Sequence, residues 1–94
     1  MREKTIERKL VEVVGKMGGI APKLVSPGLD GMPDRLVLMP GGKMAFVELK
    51  APGRKPRPVQ RVRIRQLVAM GYGVYVVDSV DQIGEVLDAI ESDL

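Results

Sequence analysis

Two apolar runs of strand length, Arg35–Met39 and Met44–Leu49, are separated only by Pro40-Gly41-Gly42-Lys43. That link reads as a hairpin turn, so the middle of the chain is expected to be an antiparallel pair. Neither run alternates cleanly between apolar and polar residues, which predicts strands covered on both faces.

The flanking segments restrict the fold further. Ile6, Leu10, Val13, Val14 and Met17 recur at helical spacing over residues 3–17, and Gly18-Gly19 stops that helix. A short extended piece is expected at Ile20–Val25, interrupted by Pro22, and a loop rich in turn formers follows from Ser26 to Pro33. Ala51–Pro58 is a second loop, because Pro52, Pro56 and Pro58 forbid regular structure, although Pro58 suits the first position of a helix. In that helix Val59, Val62, Leu67 and Met70 are expected to form the buried stripe, with Gly71 ending it. Val74–Val77 reads as a strand parallel to the second hairpin strand. Ser79-Val80-Asp81-Gln82 matches a capping box and opens a last helix with Ile83, Val86, Leu87 and Ile90 on one face. The predicted order is α-β-β-β-α-β-α, a mixed-sheet α/β sandwich forming one domain over residues 1–94.

Composition narrows the chemistry. The 94 residues include no Cys and no His, which removes disulfides, thiolate or imidazole metal sites, a Cys nucleophile and a His base. Catalysis would have to run on carboxylates, lysines, hydroxyls or a hard metal bound through oxygen. Hydrophobic residues at 45% and charged residues at 29% describe a globular chain. No apolar run reaches membrane-spanning length, and the start, MREKTIERK, lacks the apolar stretch of a signal peptide; the expected compartment is the cytoplasm.

The net charge of +3 hides a partition. Lys50, Arg54, Lys55, Arg57, Arg61, Arg63 and Arg65 fall in residues 50–65 with no acid among them, whereas residues 66–94 hold six acids and no base. A basic block of this density suggests a polyanionic partner, nucleic acid before anionic lipid. Phe46, Tyr72 and Tyr75 are the only aromatics, too few for a base-stacking platform, so contact through the phosphate backbone is expected.

Three charged positions stand out. Asp34 follows Pro33 at the mouth of one strand, and Glu48 and Lys50, two apart on the next, leave the same face of the sheet. A salt-bridged strand end would account for these residues taken alone. Their company argues for more: a Pro-Asp upstream, a hairpin between, a basic helix after and an acid-bearing helix before.

With these residues in place the chain resembles the PD-(D/E)xK nucleases, through Pro33-Asp34 and Glu48-Leu49-Lys50. Within them it is similar to the virus-type replication–repair nuclease (VRR-NUC) domain of stand-alone phage type. The similarity is carried by the Ser26-Pro-Gly…Gly31-Met-Pro-Asp-Arg stretch, the Phe46-Val-Glu-Leu-Lys-Ala-Pro-Gly run and Gln60. It implies a restriction-endonuclease-like αβββαβ core with a C-terminal helix. It also implies a metal-dependent endodeoxyribonuclease, structure-selective on branched DNA such as Holliday junctions, and a homodimer in DNA repair or recombination. Leu29, Met32 and the last helix are candidates for the dimer contact. By the resemblance, Asp34, Glu48 and the Leu49 carbonyl ligate metal together with an acid on the first helix. Glu7 matches that acid best, Glu3 is the runner-up and Glu12 stands behind both. Lys50 and Gln60 complete the catalytic set, with Gln60 orienting Lys50 or the attacking water, unless it is simply an exposed helix residue. An all-oxygen set suits Mg²⁺ or Mn²⁺. Lys23 and Ser26 are candidate phosphate contacts, with Ser26 equally suited to a plain turn, and Arg54, Lys55, Arg57, Arg61 and Arg65 are expected to bind nucleic acid. The rival reading is a non-catalytic basic DNA-binding or architectural protein, which would not need Asp34 and Glu48 to converge.

Convergence depends on the hairpin loop. A two-residue turn at Gly41-Gly42 would set Asp34 opposite Leu49 and turn its side chain away from Glu48. An odd-length loop instead sets Asp34 opposite Glu48 or Lys50. A three-residue loop is therefore expected, with Gly42 left-handed in a bulge and Asp34, Leu36 and Leu38 on the face of Phe46, Glu48 and Lys50.

Overall fold

A computed structural model describes residues Met1–Asp93; Leu94, the last residue of the expected domain, lies outside the described residues. Helix α1 spans Glu3–Lys16, and strands β1 (Arg35–Met39) and β2 (Lys43–Leu49) form the hairpin. Helix α2 (Pro58–Ala69), strand β3 (Val74–Val77) and helix α3 (Gln82–Ser92) complete the order. The sheet runs β1-β2-β3, antiparallel across the hairpin and parallel from β2 to β3.

The hairpin closes through Pro40–Gly42, with Met39 paired to Lys43 and Arg35 to Val47. The loop is three residues long, as the shared face of Asp34 and Glu48 requires. Both Gly41 (φ 84°) and Gly42 (φ 76°) are left-handed, a conformation that disfavours any side chain. The register extends to place Asp34, one residue before β1, across from Glu48.

The expected strand at Ile20–Val25 becomes a broken ribbon on the outer edge of β1, bridged at Ile20–Leu38 and Lys23–Arg35. Ile20 and Leu38 exchange both backbone bonds, Leu36 N–H donates to the Pro22 carbonyl, and Leu24 N–H donates to the Asp34 carbonyl at 2.8 Å. Pro22 has no N–H to return, so the ladder lacks the rung that would make it continuous. The ribbon still fixes the Asp34 backbone.

Helices α1 and α3 cover one face. Ile6, Leu10 and Val14 meet Ile83, Val86, Leu87 and Ile90 over Val37, Met39, Ala45, Val47, Leu49 and Val77. The expectation of strands buried on both faces holds fully for one face only. Leu36, Leu38, Met44 and Phe46, on the other face, are only half-buried, and Phe46 meets the Tyr72 ring edge-to-face at 5.7 Å. The α2 stripe differs too. Leu67 is buried and Val59 half-buried, but Val62 (51% exposed) and Met70 (62%) face solvent, and Gln60 is buried in their stead. A polar contact with the sheet, not an apolar stripe, sets the rotation of α2. The capping box at α3 is present in its backbone half: Gln82 Oε1 accepts from the N–H of Ser79 and of Asp78.

Candidate active site

At the end of the hairpin, even-numbered peptides of β2 bond to β3: Phe46 N–H donates to Gly73 and Lys50 N–H to Val77. Odd-numbered peptides therefore face β1. At Leu49 the first strand has not begun, and the Leu49 N–H donates instead to Asp34 Oδ2 at 2.9 Å. A side-chain carboxylate thus replaces a ladder carbonyl, which pins Asp34 beside Glu48.

Glu48 is 1% exposed, the most deeply buried charged residue among those described. Its Oε2 takes a 2.6 Å hydrogen bond from Gln60 Nε2 and a 3.0 Å ion pair from Lys50 Nζ. Its Oε1 is buried with no partner. Burial pushes the Glu48 carboxyl above the usual carboxylate range; Lys50 opposes that shift and the neighbouring Asp34 carboxylate adds to it.

Gln60 reaches Glu48 because it lies at the third position of α2, where its Oε1 accepts from the Arg57 N–H at 2.8 Å. That bond caps the helix and leaves the amide nitrogen aimed at the carboxylate, which settles the orientation of the amide by chemistry. Gln60 thus holds Glu48 and makes no bond to Lys50, and it is buried, not an exposed helix residue.

Beside this cluster lies an open cleft of about 640 Å³, lined by Lys50, Arg54, Lys55, Arg57, Glu3 and the Ala51–Pro52 turn. Arg61 and Arg65 are exposed at the four-residue spacing that continues from Arg57 along one side of α2. Arg63 is different: it turns toward the protein and donates to the Asp30 carbonyl and to Gln66 Oε1.

The structure brings Asp34, Glu48, Lys50 and Gln60 together and sets Glu7 apart. Glu7 Oε2 pairs with Arg35 Nε at 3.0 Å, and Arg35 also donates to the Ala21 carbonyl. This pair ties α1 to β1 on the core side of the sheet, so Glu7 is engaged where the resemblance gave it a ligand role. Glu3, the runner-up, lines the cleft with Lys50, and Glu12 pairs with Lys9 and Lys16 on the outer surface. Among the described residues no cluster of three or more acids stands ready for a metal. Lys23 is exposed on the edge ribbon, and Ser26 accepts from Leu29 N–H in a turn; neither lines the cleft. Sequence reasoning did not single out Arg35, whose partner lies 28 residues away, nor the contact of Arg63 with Asp30 across 33.

A mixed three-stranded sheet carrying Pro-Asp before one strand and Glu-x-Lys on the next defines the protein as one of the PD-(D/E)xK type, a class that in general uses divalent metal. The chain is 52% identical to "Putative nuclease p44" of Acyrthosiphon pisum secondary endosymbiont phage 1, over 90 residues and 96% of both chains. A solved structure described as a VRR_NUC domain superimposes with a TM-score of 0.86 at 30% identity, covering 94% of this chain and 97% of that one. No protein-family profile matches the sequence. The chain belongs to the VRR-NUC family of nucleases.

Proposed function

We propose that the protein is a metal-dependent endodeoxyribonuclease that hydrolyses phosphodiester bonds, selects branched DNA such as four-way junctions and acts as a homodimer. The observation that carries the catalytic reading is Glu48. A carboxylate buried this deeply, with one oxygen held by Lys50 and Gln60 and the other without a partner, is costly unless a cation completes it. The donor set is all oxygen, which fits Mg²⁺ or Mn²⁺. Asp34, Glu48 and the Leu49 carbonyl would hold the ion, and Glu3, on the cleft wall, is better placed than Glu7 to add a first-helix acid. When bound, the ion would polarise the scissile phosphate and lower the pKa of an attacking water.

The chain's own residues supply the rest. Gln60 and the Leu49 N–H hold the two acids in fixed orientations before substrate arrives. Lys50, with a side chain 16% exposed, keeps an ammonium at the boundary of cleft and carboxylate, where charge develops on a phosphoryl group. Arg54, Lys55 and Arg57 on the cleft, and Arg61 and Arg65 beyond it, attract the phosphate backbone without reading bases. Shape selection suits a surface that offers cations and few aromatics.

The test is incubation with a synthetic four-way junction and a linear duplex in Mg²⁺, Mn²⁺ or EDTA. Junction cleavage that needs the metal and disappears in Glu48→Ala is the expected result. Binding without cleavage in every condition would instead identify a non-catalytic DNA-binding protein.

A further inference from the structure

We propose that Arg63 is a positioning residue that sets Asp34 through the loop before it, and is not a DNA contact like its basic neighbours. The inference rests on the catalytic reading of Asp34 given above.

Arg63 Nε donates to the Asp30 carbonyl at 3.1 Å, and its Nη1 donates to Gln66 Oε1 at 2.6 Å, which holds the guanidinium against α2. Asp30 in turn accepts the Gly31 N–H on its own Oδ1 at 2.9 Å. Gly31 is buried and left-handed (φ 85°), and a Cβ there would come within 2.6 Å of the Val59 carbonyl oxygen. The loop backbone thus seats directly on the first turn of α2, with no room for a side chain between. Pro33 is fully buried, Leu24 N–H holds the Asp34 carbonyl, and Asp34 Oδ2 receives the Leu49 N–H. Only Met32 and Pro33 separate Gly31 from Asp34, so the position of this Arg63–Asp30 latch is passed on with little slack. The same helix that aims Glu48 through Gln60 therefore aims Asp34 through Arg63, and α2 sets both acids from one rigid element.

The variants Arg63→Ala, Arg63→Lys and Gly31→Ala test this in the full chain. Manganese titration by calorimetry should show affinity lowered about tenfold in Arg63→Ala and Gly31→Ala, the usual scale for losing an outer support. Partial recovery is expected in Arg63→Lys, which keeps one donor. Hydrogen exchange on metal-free protein should show the Leu49 amide, held only by Asp34, exchanging faster, while Val47, within the β1–β2 ladder, keeps its protection. The salt dependence of DNA binding should be unchanged in Arg63→Ala. Wild-type manganese affinity and Leu49 exchange in both Arg63→Ala and Gly31→Ala would overturn the proposal, and so would loss of protection at Val47 together with Leu49. Asp34→Asn separates the two readings. If it leaves manganese binding intact, the catalytic assignment fails and the latch is judged on Leu49 exchange alone.

Discussion

Glu48 carries two opposing demands at the scale of a single residue. Catalysis by an acid-bound metal favours the ionised carboxylate, whereas its surroundings favour the protonated form because burial removes the water that would solvate the charge. The folded chain therefore binds the Glu48 proton more tightly than the unfolded chain does. The stability it contributes is fully present below the ordinary carboxylate value and is lost as pH rises through the raised one. In Glu48→Gln this loss is absent. The melting temperature of Glu48→Gln relative to wild type, both in EDTA, is expected to climb as pH rises above the ordinary carboxylate range. Thermal melts at stepped pH giving a constant or shrinking difference would contradict the assignment.

Turn and helix glycines differ in what a methyl group would do. Gly42 closes the hairpin at φ 76°, with open space around it, so Gly42→Ala should cost roughly 1–2 kcal/mol from backbone strain alone. Gly84 lies in α3 with equally open surroundings and no left-handed backbone, so Gly84→Ala should stabilise by about 0.5–1 kcal/mol. Urea unfolding of the pair should show opposite signs; the same sign for both would show that contacts outweigh backbone conformation at these sites. Helix α2 uses its cations in two ways, with Arg57, Arg61 and Arg65 turned out at four-residue spacing and Arg63, off that series, turned in. If each of the first three meets a phosphate, the triple alanine variant should flatten the slope of log K against log salt by roughly three units. Fluorescence anisotropy across a salt series measures this, and an unmoved slope would place DNA elsewhere.

Charge is spread unevenly over the whole molecule. The cleft and α2 carry the basic block, whereas α3 exposes Glu85 and Asp88, with Asp81 exposed at its N-cap. Such an arrangement orients approach to a polyanion before contact. The chain buries a thin core, with Val62, Met70, Tyr72 and Val76 left exposed on α2, β3 and the turn between them. A homodimer across an apolar surface would cover such residues and offer two sites to a branched substrate. Light scattering at micromolar concentration is expected to give twice the 10.3 kDa chain mass; the mass of one chain would refute the dimer.

Sequence alone determined the periodic elements and the face on which the acids meet. Ile6, Leu10 and Val14, and Ile83, Val86, Leu87 and Ile90, show their helical spacing directly, and burial follows them. The odd-length loop at Pro40–Gly42 followed from counting residues, because side chains alternate strictly along a strand and Asp34 could share a face with Glu48 in no other way. Tertiary structure decided the rest. Gln60 is buried where apolar neighbours were expected because a charged partner on the sheet outweighs hydrophobic pattern in rotating α2. Glu3 and Glu7 stand one turn apart on the same helix face, and no local rule separates them. The difference is that Arg35, 28 residues beyond Glu7, reaches that acid, and such a pairing depends on how the helix packs across the sheet. Periodicity is a property of neighbouring residues, whereas the choice of partner for a charge is made only when distant segments are brought into contact.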